Sequence, residues 1–176
     1  MDKQNLIKAA GDFIEHSPDN YITEEIAVTK NVVGLKLFEA PIFAFGAADD
    51  EYFASLKNPG AIGGHFMLPK EWLPGARTVI SFFLPFTEEV RKSNARNMTW
   101  PSDEWLHARI EGQNLLNELS LHLKSLLTDA GYASVVPPRD ERFWSNTSGS
   151  GHKETFTSNW SERHVAFACG LGTFGL

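Results

Sequence analysis

The densest chemistry in this chain lies in Thr157-Ser158-Asn159-Trp160-Ser161-Glu162-Arg163-His164. Asn159 has the type and position to cap a final helix. Glu162, three residues on, can reach back to the cap amide, a capping box with Asn in place of Ser or Thr. Capping needs neither an aromatic nor a cation, yet Trp160, Arg163 and His164 crowd beside it. Free amides at a helix N-terminus, with Arg163 nearby, suit an anionic or amide-rich cofactor edge. A cofactor site and a plain helix cap both fit this segment.

Other motifs narrow the chemistry by elimination. Gly170-Leu171-Gly172-Thr173-Phe174-Gly175 has the spacing of the dinucleotide fingerprint, but that motif must follow a strand and open a helix. Here it follows a helical stretch, so a helix C-cap leading into a tight turn is the expected structure. None of His16, His65, His107, His122, His152 and His164 has a second His or Cys at i+3 or i+4, which leaves a preformed one-helix metal site unsupported. His122 sits beside an apolar stripe and is expected to pack. His152, in a glycine-rich loop, is the better placed histidine for acid or base work. Neither G-x-S-x-G nor G-x-x-x-x-G-K-[ST] occurs, and the adjacent carboxylates Glu24-Glu25, Asp49-Asp50 and Glu88-Glu89 diverge as solvated faces.

The chain has one thiol, Cys169, which excludes an internal disulfide, a four-cysteine zinc site and a self-contained iron–sulfur cluster. Any such cluster belongs to another chain or a missing segment. Cys169 at a helix C-terminus is expected to have a raised pKa and to be a small packed residue, not a nucleophile.

These groups need a scaffold, and 176 residues with 42% apolar and 22% charged side chains are enough for one core without staples. The formal net charge of −6 and the lack of a basic block longer than Arg91-Lys92 argue against tight binding to a phosphate backbone. The polar start and the absence of an apolar run of membrane-spanning length point to a cytoplasmic protein with no membrane partner.

Periodicity predicts a helix over 3–16, β-leaning segments at 26–33 and 41–46, a short helix or turn at 49–56 and a loop over 57–70. Thr78 to Leu84 reads as a central strand covered on both faces. Residues 85–101 read as a polar loop or lid. From Asp103 a long helix carries Leu106, Ile110, Leu116, Leu119, Leu123, Leu126, Leu127 and Ala130 as one apolar stripe, ended by Gly131. A short strand at 132–136, a loop over 139–157 and a last helix from about Trp160 to Cys169 complete the chain.

Taken together, Leu73-Pro74-Gly75-Ala76-Arg77-Thr78-Val79-Ile80, the long helix, and Ser161-Glu162-Arg163 with Ala168-Cys169-Gly170-Leu171-Gly172 and Gly175 resemble the N-terminal part of the epoxyqueuosine reductase family. More narrowly, Ser158 to His164 with the glycine-rich end resembles that family's iron–sulfur relatives. The resemblance covers most of the chain.

It implies a single α/β (α+β) domain over 1–176, a nitroreductase-like sandwich whose central mixed sheet is flanked by helices and which holds cobalamin. In the family a ferredoxin-like domain with two four-iron clusters follows and supplies electrons. This chain stops at Leu176, so the resemblance implies a domain truncated before that part and incomplete on its own. Its cofactor-binding residues would be Ser158, Asn159, Trp160, Ser161, Arg163, Gly170, Gly172 and Gly175. Alignment on Glu162-Arg163 puts Phe156 where the family has its proton-donating aspartate. Phe156 has no proton to give, and the neighbouring His152 and Glu154 are the candidate acids. A flavin is the alternative cofactor on such a scaffold. A further alternative is a non-catalytic module that docks on an iron–sulfur subunit, or forms a homodimer, through an exposed patch around Leu171, Phe174 and Leu176.

Overall fold

Asp2 opens the first helix, α1 (Lys3–His16), because its carboxylate accepts the Asn5 N–H at 2.8 Å. Leu6, Ala10 and Ile14 bury one face, and Ser17-Pro18 ends the helix as the sequence predicts. The structure, a computed structural model, describes residues 1–148 and 155–175. It is a mixed α+β protein. The chain forms two compact units, the first from Met1–Ile42 and Phe83–Tyr132, the second from Phe43–Phe82 and Ala133–Leu176. Among the described residues no helix is long and apolar enough to cross a membrane.

In the first unit α1 packs on the long helix α5 (Asp103–Asp129), as does α4 (Glu88–Asn94). Ser102 caps α5 by accepting the Trp105 N–H, and Gly131, at φ +82°, closes it. The buried face of α5 is Ala108, Gly112, Leu115, Leu119 and Leu123, with His107 beside it. This rotates the stripe expected from the leucines, and Ile110 is 63% exposed. Gly112 explains the difference. A Cβ there would lie 2.5 Å from Phe38 Cζ, so the helix presents its smallest residue where a buried phenylalanine crosses it. Phe13 stacks on His122 at 4.6 Å between ring centroids, the packing role expected for that histidine.

Asn20 ties this unit together. It is fully buried, donates to the carbonyls of Ile14 and Phe38, and accepts the Phe38 N–H at 2.8 Å.

Three expectations fail here for want of a partner strand or through local caps. Residues 26–33 make turns and a 3-10 turn at Lys30–Val32, not a strand, and of the valines only Val32 is buried. The polar stretch after Pro85 contains α4, because Thr87 accepts the Val90 N–H and Val90 buries completely. Residues 132–136 form no strand and run into a 3-10 turn at Pro137–Arg139, where paired prolines lack the amides a ladder needs.

In the second unit β1 (Ile42–Ala47) pairs with β2 (Thr78–Phe83), and β3 (Ser145–Ser148) pairs antiparallel with β4 (Thr155–Ser158). Two two-stranded sheets, among the described residues, stand where the sequence reading expects one central mixed sheet. β2 is not covered on both faces. Val79 is its buried residue, and Phe83 is 54% exposed. The loop expected over 57–70 ends in α3 (Pro69–Trp72), which begins with proline at its first position. The loop expected over 139–157 contains β3 and the start of β4. The core of this unit gathers Ala48, Phe53, Leu56, Phe66, Trp72, Val79, Trp160 and Val165. Phe53 comes from α2 (Glu51–Ser55) and Val165 from α6 (Glu162–Ala168).

Candidate functional site

The segment singled out by sequence divides into an inner and an outer part. Ser158, Asn159 and Trp160 point inward and are consumed by the fold. Trp160 is 8% exposed, stacks on Phe66 at 5.7 Å and meets Trp72 edge-on at 6.1 Å. Ser158 Oγ donates to the Trp160 carbonyl.

Asn159 does not cap α6. Its side chain accepts the Trp144 N–H at 3.0 Å, and its amide nitrogen donates to the Arg142 carbonyl at 2.8 Å and to Met67 Sδ. Its backbone carbonyl accepts the Met67 N–H. A residue that reaches two distant stretches of chain this way is a structural clamp, and its side-chain oxygen is turned to Trp144 and away from the helix amides. The N-cap position belongs to Ser161, whose Oγ bonds His164 Nδ1 at 2.8 Å instead of an amide. The expected capping box is therefore absent.

The outer part is different. Arg163 is exposed, and its guanidinium lies over the Phe174 ring at 5.5 Å. The His164 ring packs on Phe174 at 5.1 Å, and Phe167 stacks on Phe174 at 5.4 Å and meets Tyr52 at 5.2 Å. Phe174 is 45% exposed. Desolvation, helped by the neighbouring Arg163 charge, pushes the His164 pKa below the usual histidine value. A neutral imidazole is thus favoured there, able to accept or donate a hydrogen bond.

The glycine end is the helix C-cap that the sequence predicts. Gly170 sits at φ +79°, with its N–H on the Phe167 carbonyl and the Leu171 N–H on the Ala166 carbonyl. Gly172 and Gly175 are not explained by the fold. Neither has a left-handed φ, and a Cβ at either would meet nothing within 4 Å. A backbone bare of Cβ atoms and open on its outer side is one that a ligand can approach closely.

Cys169 is half-buried behind this turn, so close to β1 that a Cβ on Gly46 would fall 2.9 Å from its sulfur. Burial pushes the thiol up, with a smaller push from Asp50, against the opposing Gly46 N–H. The expected direction holds, with desolvation as its main cause. Alkylation by iodoacetamide at neutral pH should therefore run about tenfold or more slower than for a free thiol and accelerate as the pH rises. A rate equal to that of a free cysteine would show an open, unperturbed thiol.

His152 and Glu154, the candidate acids, lie outside the described residues, as does Leu176. Phe156, at the aspartate position of the resembled family, is 72% exposed. Sequence reasoning missed Tyr52 and Phe167, whose contribution depends on α2 and α6 meeting. It also missed His65, whose Nε2 bonds Thr157 Oγ1 at 2.7 Å beside the Trp144 ring. Among the described residues no group of three or more His, Cys, Asp or Glu side chains could hold a metal ion. No protein-family model, curated protein or solved structure matches the chain.

Proposed function

We propose that this chain is the cofactor-binding domain of an iron–sulfur-dependent reductase related to epoxyqueuosine reductase, with cobalamin as the cofactor. The observation that carries this reading is the outer face of the C-terminal segment. It sets Arg163, His164, Phe167 and Phe174 side by side, next to the open backbone of Gly172 and Gly175. The donor set suits a corrin edge, since backbone amides, a guanidinium and a neutral imidazole match its amide side chains. The nitroreductase-like sandwich belongs to the same proposal.

When bound, the corrin supplies the redox chemistry, and the chain's own task is to hold, orient and partly dry it. Ser161, Arg163, Gly170, Gly172 and Gly175 are the contact residues in this reading. Ser158, Asn159 and Trp160 act from behind by fixing the segment that carries them. Electrons come from a ferredoxin-like domain or a separate donor, because Cys169 alone cannot hold a cluster.

Flavin is the second reading, favoured by the exposed Phe167–Phe174 stack, which offers a planar ring a surface to lie on. A module that docks on an iron–sulfur subunit would use the same stack.

An ultraviolet–visible titration with cobalamin, flavin run in parallel, tests the proposal. A shift toward the base-off corrin spectrum is expected, weakened about tenfold or more in Arg163→Ala, while the exposed position keeps the stability change within about 0.5 kcal/mol. A flavin response alone would move the assignment to the second reading. No response to either would overturn both cofactor readings for this chain.

A further inference from the structure

His107 lies on α5 with 3% of its surface exposed and with both ring nitrogens engaged. Nδ1 is 3.1 Å from Glu111 Oε2, one turn further along the helix, and Nε2 accepts the Val28 backbone N–H at 3.2 Å. A ring nitrogen that accepts from an amide carries no proton. The proton of the neutral ring is therefore on Nδ1, donated to the Glu111 carboxylate. Next to this contact the Thr29 hydroxyl donates to Asp103 Oδ2 at 3.2 Å. The exposed turn running up to Val28 and Thr29 is thus fastened to α5 at two adjacent points.

We propose that His107 is a proton-operated latch, which holds the Val28 segment on α5 while the ring is neutral and releases it when the ring takes up a second proton. That proton can go only to Nε2, where it faces the Val28 N–H, so two donors oppose each other and the bond is lost. The Nδ1–H bond to Glu111 survives and strengthens with charge. The sign is therefore release in acid and closure as the pH rises.

Glu111 is, among the described residues, the acidic group ion-paired to the ring. Asp103 holds Thr29. The latched segment brings Glu24, Glu25 and Lys30, none ion-paired to the ring. On the helices packed against α5, Glu15 of α1 pairs with Lys36 and Glu88 of α4 with Lys92. The segment itself carries Ile26 and Val28, already 43% and 60% exposed while it is latched.

Two measurements on the whole chain test the latch. Long-range proton–nitrogen NMR of the histidine rings should show the neutral His107 ring as the Nδ1–H form. Hydrogen exchange at the Val28 amide, corrected for its intrinsic pH dependence, should lose about tenfold in protection on acidification, in step with protonation of the ring as the same NMR reads it. His107→Gln, whose carbonyl can still accept from Val28, should show no such loss on acidification. Thr29→Val should keep the pH response, which separates it from titration of Asp103. An Nε2–H tautomer, or protection that does not change as His107 titrates, overturns the proposal. A response that persists in His107→Gln and vanishes in Thr29→Val also overturns it, by moving the switch to Asp103.

Discussion

Replacing Asn159 by alanine should destabilise the protein by about 3–5 kcal/mol and lower its thermal midpoint by about 10 °C or more. The side chain is 1% exposed and serves the Trp144 N–H and the Arg142 carbonyl at once. Alanine removes the amide and leaves both backbone groups, in part-buried positions, without their partner. Each unsatisfied group costs about 1–3 kcal/mol, and the lost volume adds to this. The same clamp holds the stretch from Arg142 to Trp144 against Met67, so loss of order should reach the paired strands β3 and β4. Urea melts followed by tryptophan fluorescence would read the effect, with Trp144 and Trp160 as nearby reporters. A change below about 1 kcal/mol would mean that water or a shifted backbone replaces the bonds, and that Asn159 is free for another role.

Trp160→Ala should cost about 3–5 kcal/mol, with or without any cofactor present. The indole lies between Phe66 and Trp72 at the centre of the second unit's core. Its removal opens a cavity that α6 and α3 cannot close without moving. Trp160→Phe, which keeps a ring against Phe66, should recover more than half of the loss. The informative comparison is melting of the cofactor-free protein. A normal melt for Trp160→Ala combined with lost cofactor binding would return Trp160 to the binding surface. Equal destabilisation in the cofactor-free state would fix it as core.

The two substitutions show how much of the candidate site was legible beforehand. The segment from Ser158 to His164 stands out by residue type, because capping cannot use an aromatic, a cation and an imidazole together. Type alone does not say which way each side chain faces. Ser158, Asn159 and Trp160 turn inward because Phe66, Trp72, Met67 and Trp144 are waiting there, brought from stretches far away in sequence. Arg163 and Phe174 stay outside and meet across the glycine turn. A one-dimensional reading could name the neighbourhood but could not sort inner from outer residues.

What the sequence determined by itself is what short-range physics controls. α1, α2, α5, α6, β1 and β2 fall close to where periodicity puts them, and Gly131 and Gly170 end their helices as left-handed caps. These depend on bonds within a few residues, so the local residue types suffice. Tertiary structure decided the rest. It rotated the buried face of α5 so that Gly112 meets Phe38, left the valines of 26–33 without a strand to pair with, and gave the Val28 N–H to His107. It also paired β3 with β4 inside a segment that reads as loop. Each of these choices is a contact between residues distant in the chain, whose free energy depends on which partner arrives, and no local pattern encodes that arrival.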